Sequence, residues 1–209
     1  MMRLMRSLKT AVAVVTLFGT ARAASGGLST REDAINRRIN GLPDELAPFM
    51  WLPMQAGALA APFLIGGFAA IRTRSTEPAL SIVSGGFNAW LGAKAVKKAV
   101  GRGRPYDFDS ETRLRLGTRI DGSLGFISGH AAVAFAVAGV INDRVGPRAG
   151  AGMYAVAVAS SLSRVYVGAH FPLDVVGGAA FGILVGDASS RLLERVEGTA
   201  IAANLCTVS

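Results

Sequence analysis

One of the two histidines in the chain stands near a carboxylate at a spacing that suits nucleophilic chemistry. His170 lies four residues before Asp174, and Pro172 between them is typical of the first turn of a helix. At this spacing the carboxylate can lie beside the imidazole and fix its tautomer. A histidine held in this way is a better nucleophile, so His170 and Asp174 are candidate catalytic residues.

The other histidine, His130, follows two residues that favour anion binding. Ser128 is a good N-cap, and Gly129 lets the backbone approach a ligand closely. The exposed amides at such a helix start can hold anionic oxygens. Taken alone, however, a single histidine at the start of an alanine-rich stretch is more often an interior residue than a catalyst, and this alternative stays open at this point.

Basic side chains are concentrated near these motifs. Residues 94–119 contain eight Lys and Arg against three Asp and Glu, a local charge of +5 within the total of +8. This concentration predicts a site for an anion. Lys97 and Arg104 each have a simpler interpretation, as interfacial cations that reach lipid phosphates. Arg164 likewise could form a structural ion pair with Asp174. The eight basic residues are Lys94, Lys97, Lys98, Arg102, Arg104, Arg113, Arg115 and Arg119.

The composition is not that of a soluble chain of this size. Of its 209 residues, 51% are hydrophobic and 17% charged, and the mean hydropathy is +0.41. This apolar character argues against a nucleic-acid partner in spite of the positive charge, and favours membrane lipids as the surroundings. The single cysteine, Cys206, excludes an internal disulfide framework, a cysteine zinc site and an iron–sulfur cluster.

The apolar segments predict an all-α fold, a polytopic transmembrane helical bundle with five core spans. The first segment has no charge over 26 residues and contains Pro53 and Pro62, which should bend it. If the five spans cross alternately, the residues singled out above all lie on one membrane face. That coincidence favours a functional site over the simpler interpretations of each residue. The five segments are residues 46–71, 78–100, 122–142, 149–163 and 175–186.

A stripe of small residues occurs in the last of these segments. Gly178, Gly182 and Gly186 are spaced by four, which favours close helix packing in lipid. An alanine- and glycine-rich helix with no particular partner is an equally good interpretation of the stripe alone.

The regions outside the core differ in character from it. Residues 1–24 have the order of basic, apolar and small residues that is typical of a secretory signal or short anchor, although an over-extended gene start is the alternative. Residues 25–45 are polar and form either a short interfacial helix or a solvated linker. Residues 46–195 are the predicted membrane domain, and residues 196–209 are a carboxyl-terminal tail.

Together the motifs resemble the three-part signature of the type 2 phosphatidic acid phosphatase superfamily. The first part runs from Lys97 to Arg104-Pro105, the second is Ser128-Gly129-His130, and the third runs from Ser163-Arg164 through His170 to Asp174. The resemblance covers about residues 46–190, and three linked motifs are far more specific than one. The sequence departs from the family at Ile127, where the family usually has proline.

The resemblance implies a metal-independent phosphatase. His170 would attack phosphorus and become a phosphohistidine, Asp174 would orient it, and His130 would protonate the leaving oxygen. No cofactor is implied. The phosphate would be bound by three cations and by the amides of the second motif, that is, by Lys97, Arg104, Arg164, Ser128 and Gly129.

The family also implies a lipid phosphate substrate, such as phosphatidic acid, phosphatidylglycerophosphate or a polyprenyl mono- or diphosphate. Two alternatives are a vanadate-dependent haloperoxidase-like enzyme and a non-catalytic protein that binds lipid phosphates. The sequence does not predict an oligomeric state. Five apolar residues of the long connection form either a rim for the lipid or ordinary packing: Phe108, Leu114, Leu116, Ile120 and Phe126.

The charge pattern predicts a multi-pass cell-membrane protein with its site on the extracytoplasmic face. A basic amino end in the cytoplasm, followed by an apolar run, places the motifs outside. Arg72, Arg74, Arg144 and Arg148 in the opposite loops support this orientation. The motif face carries even more Lys and Arg, but a phosphate site accounts for them.

Overall fold

The computed structural model describes residues 2–118 and 124–207. Arg119 of the basic cluster and Ile120 of the proposed rim lie outside the described residues. The described part of the chain contains helices and no strand, which confirms the all-α prediction. The helices are α1 (Met2–Ser25), α2 (Thr30–Asn40), α3 (Ala47–Met54), α4 (Ala61–Thr73), α5 (Glu77–Val100), α6 (Pro105–Phe108), α7 (Gly129–Arg144), α8 (Pro147–Tyr166) and α9 (Pro172–Thr207), with 3-10 turns at Asp44–Leu46 and Gln55–Gly57.

Helix α7 lies at the centre of the bundle, packed between α5, α8 and α9. Its alanine and valine side chains are buried along most of its length. The glycine stripe of α9 packs directly on it. A Cβ atom at Gly178 would lie 2.5 Å from the carbonyl oxygen of the N-cap residue Ser128, and one at Gly182 or Gly186 would lie 2.3 or 2.7 Å from a carbonyl oxygen within α7. The prediction of close packing at this stripe is confirmed, because no larger residue fits at this helix separation.

The segment predicted as the first span is broken into two helices. Pro53 lies inside α3 and Pro62 in the first turn of α4, and the two arms are bent by 74° at the turn between them. The turn packs against the start of α7, where a Cβ atom on Gly57 would lie 2.5 Å from the carbonyl oxygen of His130. The break therefore brings residues 55–57 to the predicted site.

Fewer helices of the structure are long and apolar enough to be membrane spans than the five that the sequence predicts. Among the described residues, only Pro172–Val196 of α9 is long and apolar enough to cross a membrane by itself. Two bent pairs pass the same test together: Arg6–Ser25 with Thr30–Asn40, bent by 97°, and the α3 and α4 arms. Helix α7 has 16 residues, fewer than the roughly 20 that a span needs, and α5 carries three lysines. The count of five spans stays a prediction.

The outer surfaces of α1 and α4 carry large exposed apolar side chains. Val15 and Phe18 on α1 and Leu64, Phe68 and Ile71 on α4 are mostly exposed. An exterior of this kind is unstable in water and stable against hydrocarbon, so the chain is a membrane protein.

The amino-terminal helix is part of the packed bundle. Helix α1 lies along α9, with Ala13 and Ala24 buried against its neighbours. Thr10 donates a hydrogen bond of 3.3 Å to Asp187, and Lys9 lies 3.9 Å from the same carboxylate. These contacts suit an anchor that stays attached. The choice between signal and anchor itself stays a prediction.

The polar segment that follows is helical and packed, so it is not a solvated linker. Helix α2 begins at the N-cap Ser29, and its polar stripe of Glu32, Asn36 and Asn40 faces inward and is buried. The side chain of Asn40 donates to the carbonyl oxygens of Arg113 and Tyr166 at 2.9 Å each. At the other end of the chain, α9 runs without a break across the predicted boundary at residue 196.

Candidate active site

His170 lies in the turn between α8 and α9 and is only 3% exposed. Burial lowers the pKa of its imidazole, because water no longer solvates the charged form. The positive charges around the imidazole lower its pKa further. The structure thus places the other histidine and the three predicted phosphate-binding cations around the imidazole of His170. These surrounding groups are Lys97, Arg164, Arg104 and His130.

Asp174 lies beside His170 as the spacing predicts. Its Oδ2 atom is 3.5 Å from Nδ1 of His170 and accepts a hydrogen bond of 2.9 Å from the amide of Phe171. The imidazole contact is longer than the usual 2.7–3.2 Å of an N–H···O bond, roughly the looseness that catalytic pairs show without substrate. Because Nδ1 faces the carboxylate, Nε2 is the nitrogen that remains for an incoming group.

Arg102 contacts Asp174 directly, and Glu32 contacts Arg102; neither role was predicted from the sequence. The Nη1 atom of Arg102 lies 3.0 Å from Oδ1 of Asp174 and 3.0 Å from Oε1 of Glu32, while its Nη2 lies 2.6 Å from Oε2 of Glu32. The ion pair of Asp174 is therefore with Arg102, and the alternative of an Arg164–Asp174 pair is wrong. The sequence left the polar segment that contains Glu32 as either an interfacial helix or a solvated linker, so Glu32 had no predicted place at the site.

Lys97 is hydrogen-bonded to the segment that leads into α7. Its ammonium group donates hydrogen bonds of 2.7 and 2.9 Å to the carbonyl oxygens of Leu124 and Gly125. A lysine has three N–H donors, so one remains for a phosphate oxygen. Lys97 thus combines a charge near His170 with a structural contact that the spacing alone did not reveal.

The start of α7 has the predicted N-cap, but one of the amides expected to bind an anion is already bonded. The hydroxyl of Ser128 accepts a bond of 3.4 Å from the amide of Ala131. The amide of Ser128 itself donates to the carbonyl oxygen of Asp174 at 2.8 Å, so it is not available to a phosphate. The next amides, those of Gly129 and His130, have no acceptor within their own helix. A Cβ atom on Gly129 would meet nothing within 4 Å, which leaves space beside these amides.

The two arginines come from different helices. Arg164 is in the last turn of α8, with Nη1 3.2 Å from the sulfur of Met54, and its carbonyl oxygen accepts from the amide of His170 at 3.3 Å. Arg104 is the N-cap residue of α6, where its amide donates to Asp107 at 2.7 Å. Both guanidinium groups act on His170 electrostatically.

Some of the local positive charge has other roles. The ammonium group of Lys94 lies 3.6 Å from the ring centroid of Trp90. Arg115 is buried, lies 2.6 Å from the carboxylate of Asp44, and stacks over Tyr166 at 4.4 Å. Only a part of the basic cluster therefore lies around His170, and Arg115 instead holds the connection against α8.

Only some residues of the proposed apolar rim are exposed in the structure. Phe126 is fully buried in the core, so for this residue the rim interpretation is wrong and the packing interpretation holds. Phe108 is 47% exposed and meets the ring of Phe171 edge-on at 5.4 Å. Leu114 is half-buried and Leu116 is 38% exposed.

No group of three or more His, Cys, Asp or Glu side chains in the described part of the chain is placed to hold a metal ion. The gathered groups are mainly cations and hydrogen-bond donors, which bind an anion. The absence of a metal from the mechanism stays a prediction.

Comparison with known proteins gives one family and two similar structures. A family model described as the PAP2 superfamily matches residues 78–196, more than half of the chain. The crystal structure of a transmembrane PAP2-type phosphatidylglycerolphosphate phosphatase from Bacillus subtilis is similar with a TM-score of 0.65 at 20% identity, covering 91% of this chain and 96% of that one. The structure of LpxE from Aquifex aeolicus is similar with a TM-score of 0.65 at 25% identity, covering 76% and 93%. No curated protein matches the sequence significantly.

Proposed function

The chain belongs to the PAP2 superfamily, and from this premise we propose that it is an integral membrane phosphatase that hydrolyses a lipid phosphate through a phosphohistidine. One observation supports the proposal above others. The buried imidazole of His170 has a carboxylate at its Nδ1 atom and four cationic or proton-bearing groups around it. A plain anion-binding protein would need the cations but not an oriented nucleophile.

In the first step, the Nε2 lone pair of His170 forms a bond to phosphorus while the bond between phosphorus and the lipid oxygen breaks. His130 donates a proton to the departing alkoxide, which leaves as an alcohol. Asp174 keeps the Nδ1 proton in place and stabilises the positive charge of the phosphorylated ring. Lys97, Arg104 and Arg164 hold the other oxygens, since phosphoryl transfer depends mainly on positioning and charge stabilisation.

In the second step, water attacks phosphorus and the N–P bond breaks. His130, now neutral, takes the proton from that water, and inorganic phosphate leaves. His170 regains its lone pair, so the enzyme returns to its starting state with one water consumed and no net change in its protons. No metal takes part in either step.

The substrate we propose is an amphiphile with a terminal phosphate. The exterior of the bundle is apolar, so the lipid chains stay in hydrocarbon while the phosphate reaches the cations. Phosphatidic acid, phosphatidylglycerophosphate and polyprenyl mono- or diphosphates all have this form, and an assay should include each.

We place the site on the extracytoplasmic face. Lys9, near the basic amino end, lies beside Asp187, whereas Ala24 at the other end of α1 packs with Phe126 near the site. Asp187 and Asp174 are about 20 Å apart along α9 at ~1.5 Å per residue. The amino end and the site are therefore at opposite ends of the bundle, and a cytoplasmic basic end places the site outside.

The test is release of phosphate from this panel of lipids by detergent-purified protein with chelator present. We expect turnover by the wild type and a loss of more than about 1000-fold in His170→Ala, as for removal of other nucleophiles. Turnover that survives His170→Ala excludes the proposed nucleophile, and a requirement for added divalent metal excludes the metal-free mechanism. Bromide oxidation with vanadate would favour the haloperoxidase alternative, and binding without turnover the non-catalytic one.

A further inference from the structure

Three charged side chains form a connected chain in the interior, next to His170. Glu32, Arg102 and Asp174 have side chains that are 4%, 2% and 0% exposed. Burying charged groups is energetically costly unless each is paired with good geometry. Here Arg102 makes three short contacts to the two carboxylates, so the group is well paired. Such a costly arrangement beside a proposed nucleophile suggests a role in its chemistry.

We infer that Glu32 and Arg102 are positioning residues, which hold Asp174 in the orientation that keeps His170 ready to attack. The inference rests on the proposed function, because it assigns these residues to the same reaction. It adds to the three motifs a carboxylate from α2, which lies before the residues matched by the family model.

The two oxygens of Asp174 have different partners. Arg102 occupies Oδ1 at 3.0 Å, while Oδ2 accepts from the amide of Phe171 and faces Nδ1 of His170. With Oδ1 fixed, the carboxylate cannot rotate about its Cβ–Cγ bond without losing a charge-assisted hydrogen bond. Arg102 thus determines which oxygen His170 meets.

Glu32 in turn fixes Arg102. Its two oxygens bind both terminal nitrogens of the guanidinium, at 3.0 and 2.6 Å. Its Oε1 atom also accepts a bond of 3.0 Å from the amide of Leu173, the residue directly before Asp174. Glu32 therefore holds the first turn of α9 both through Arg102 and directly.

Arg102 is a poor candidate for a phosphate ligand. Its charge is balanced by two buried carboxylates, and its guanidinium stacks on the ring of Phe171 at 4.5 Å. To reach a phosphate it would have to leave Glu32 and Asp174 unpaired in the interior. This separates Arg102 from Lys97, Arg104 and Arg164, and makes it a residue that acts through Asp174.

The test compares Glu32→Gln with Asp33→Asn. Gln keeps the shape of Glu32 and removes its charge, whereas Asp33, on the same first turn of α2, pairs only with Arg37 among the described residues and serves as the matched control. We expect Glu32→Gln to lower kcat about 10- to 100-fold with KM changed less than about twofold, the size seen for partners of site ligands. Arg102→Lys should lose at least as much, because an ammonium cannot replace a fork that binds two carboxylates.

A second readout separates positioning from a loss of folded protein. The chain has two histidines, so protein labelled at histidine nitrogens and purified without a histidine tag gives two sets of imidazole signals. In the wild type the His170 signals should show a protonated Nδ1. In Glu32→Gln they should move toward a mixture of tautomers, while the signals of His130 stay in place. Unfolding would instead add signals at the positions of a free histidine.

Wild-type kcat and unmoved His170 signals in Glu32→Gln would overturn the inference, as would equal losses in Asp33→Asn. If Glu32→Gln does not fold, Glu32→Asp is measured in the same way, and it should keep the charge but lose part of kcat because its reach is shorter. A wild type that hydrolyses no lipid phosphate would remove the proposed function, and the imidazole signals would still decide whether Glu32 positions His170.

Discussion

The amide of Ser128 donates a hydrogen bond of 2.8 Å to the carbonyl oxygen of Asp174, which joins the start of α7 to the first turn of α9. These residues belong to different sequence motifs, and the bond connects the proposed anion-binding end of one helix to the proposed histidine-orienting end of the other. A shift of either helix would therefore move both halves of the site together.

The first prediction concerns the acid role of His130. His130→Ala should reduce hydrolysis of a lipid phosphate far more than hydrolysis of an activated aryl phosphate, because an aryl oxide leaves without a proton. The ratio of the two losses in kcat/KM measures the effect, and we expect it to exceed about tenfold. Equal losses on both substrates would argue against proton donation by His130.

The second prediction concerns the double role of Lys97. Lys97→Arg keeps the charge but cannot make the same two bonds to the carbonyl oxygens of Leu124 and Gly125. A hydrogen bond from a charged group contributes about 1.5–3 kcal/mol, so kcat/KM should fall about 10- to 100-fold. The exposed neighbour Lys98 gives the matched control, Lys98→Arg, which should match the wild type. Full activity in Lys97→Arg would show that charge alone is sufficient.

The third prediction concerns the protonation of His170. Burial and the neighbouring cations lower its pKa, so its imidazole should stay neutral as the pH falls through 6.5, where an ordinary histidine is half protonated. Nitrogen-detected titration of the labelled protein follows this directly. The unfolded chain then binds one more proton than the folded one below about pH 6.5, so this group makes the fold less stable as the pH falls. A midpoint for His170 at or above 6.5 would contradict the burial seen here.

The fourth prediction concerns the glycine stripe of α9. Gly182→Ala would place a Cβ atom 2.3 Å from the carbonyl oxygen of Ala132, so α7 and α9 would have to separate. We expect a loss of about 1–3 kcal/mol in stability, the usual cost of overpacking. Gly152→Ala on α8 is the control, because its Cβ atom would meet nothing within 4 Å. Thermal unfolding in detergent compares the two, and an equal Tm for both variants would refute the close approach.

The fifth prediction concerns the amino-terminal helix. Because Ala13 and Ala24 are buried and Thr10 and Lys9 contact Asp187, we expect residues 2–24 to remain in the mature protein. Intact mass of the protein purified from membranes measures this. A mass that corresponds to cleavage after residue 24 would contradict this prediction and would show that the remaining helices are stable without α1.

The motif residues could be identified from the sequence because each motif is local. The pair His170 and Asp174 needs only one helical turn, and Ser128 and Gly129 need only a helix start, so spacing along the chain determined their arrangement. The gathering of the motifs was predicted from the assumption of five alternating spans, a count that stays a prediction.

The role of Glu32 could not be identified in this way. It meets Arg102 across 70 positions of sequence, and nothing near either residue indicates the other. A stripe of polar residues on a short helix looks the same whether it faces water, lipid headgroups or a buried site. Only the packing of α2 on α8 and α9 shows that this stripe faces inward.

The number and shape of the spans were also beyond the sequence. Pro53 and Pro62 indicated a bend, but the 74° angle depends on the turn that packs against α7. Helix α7 is shorter than a membrane span usually is, but it is buried among its neighbours. A helix surrounded by protein does not have to match the thickness of the hydrocarbon.

The close approach of α7 and α9 also restricts the route of water. Where backbone meets backbone at Gly178, Gly182 and Gly186, a file of solvent molecules has no room to pass between the two helices. Water that reaches the turn holding His170 must therefore come by a route other than the contact between α7 and α9.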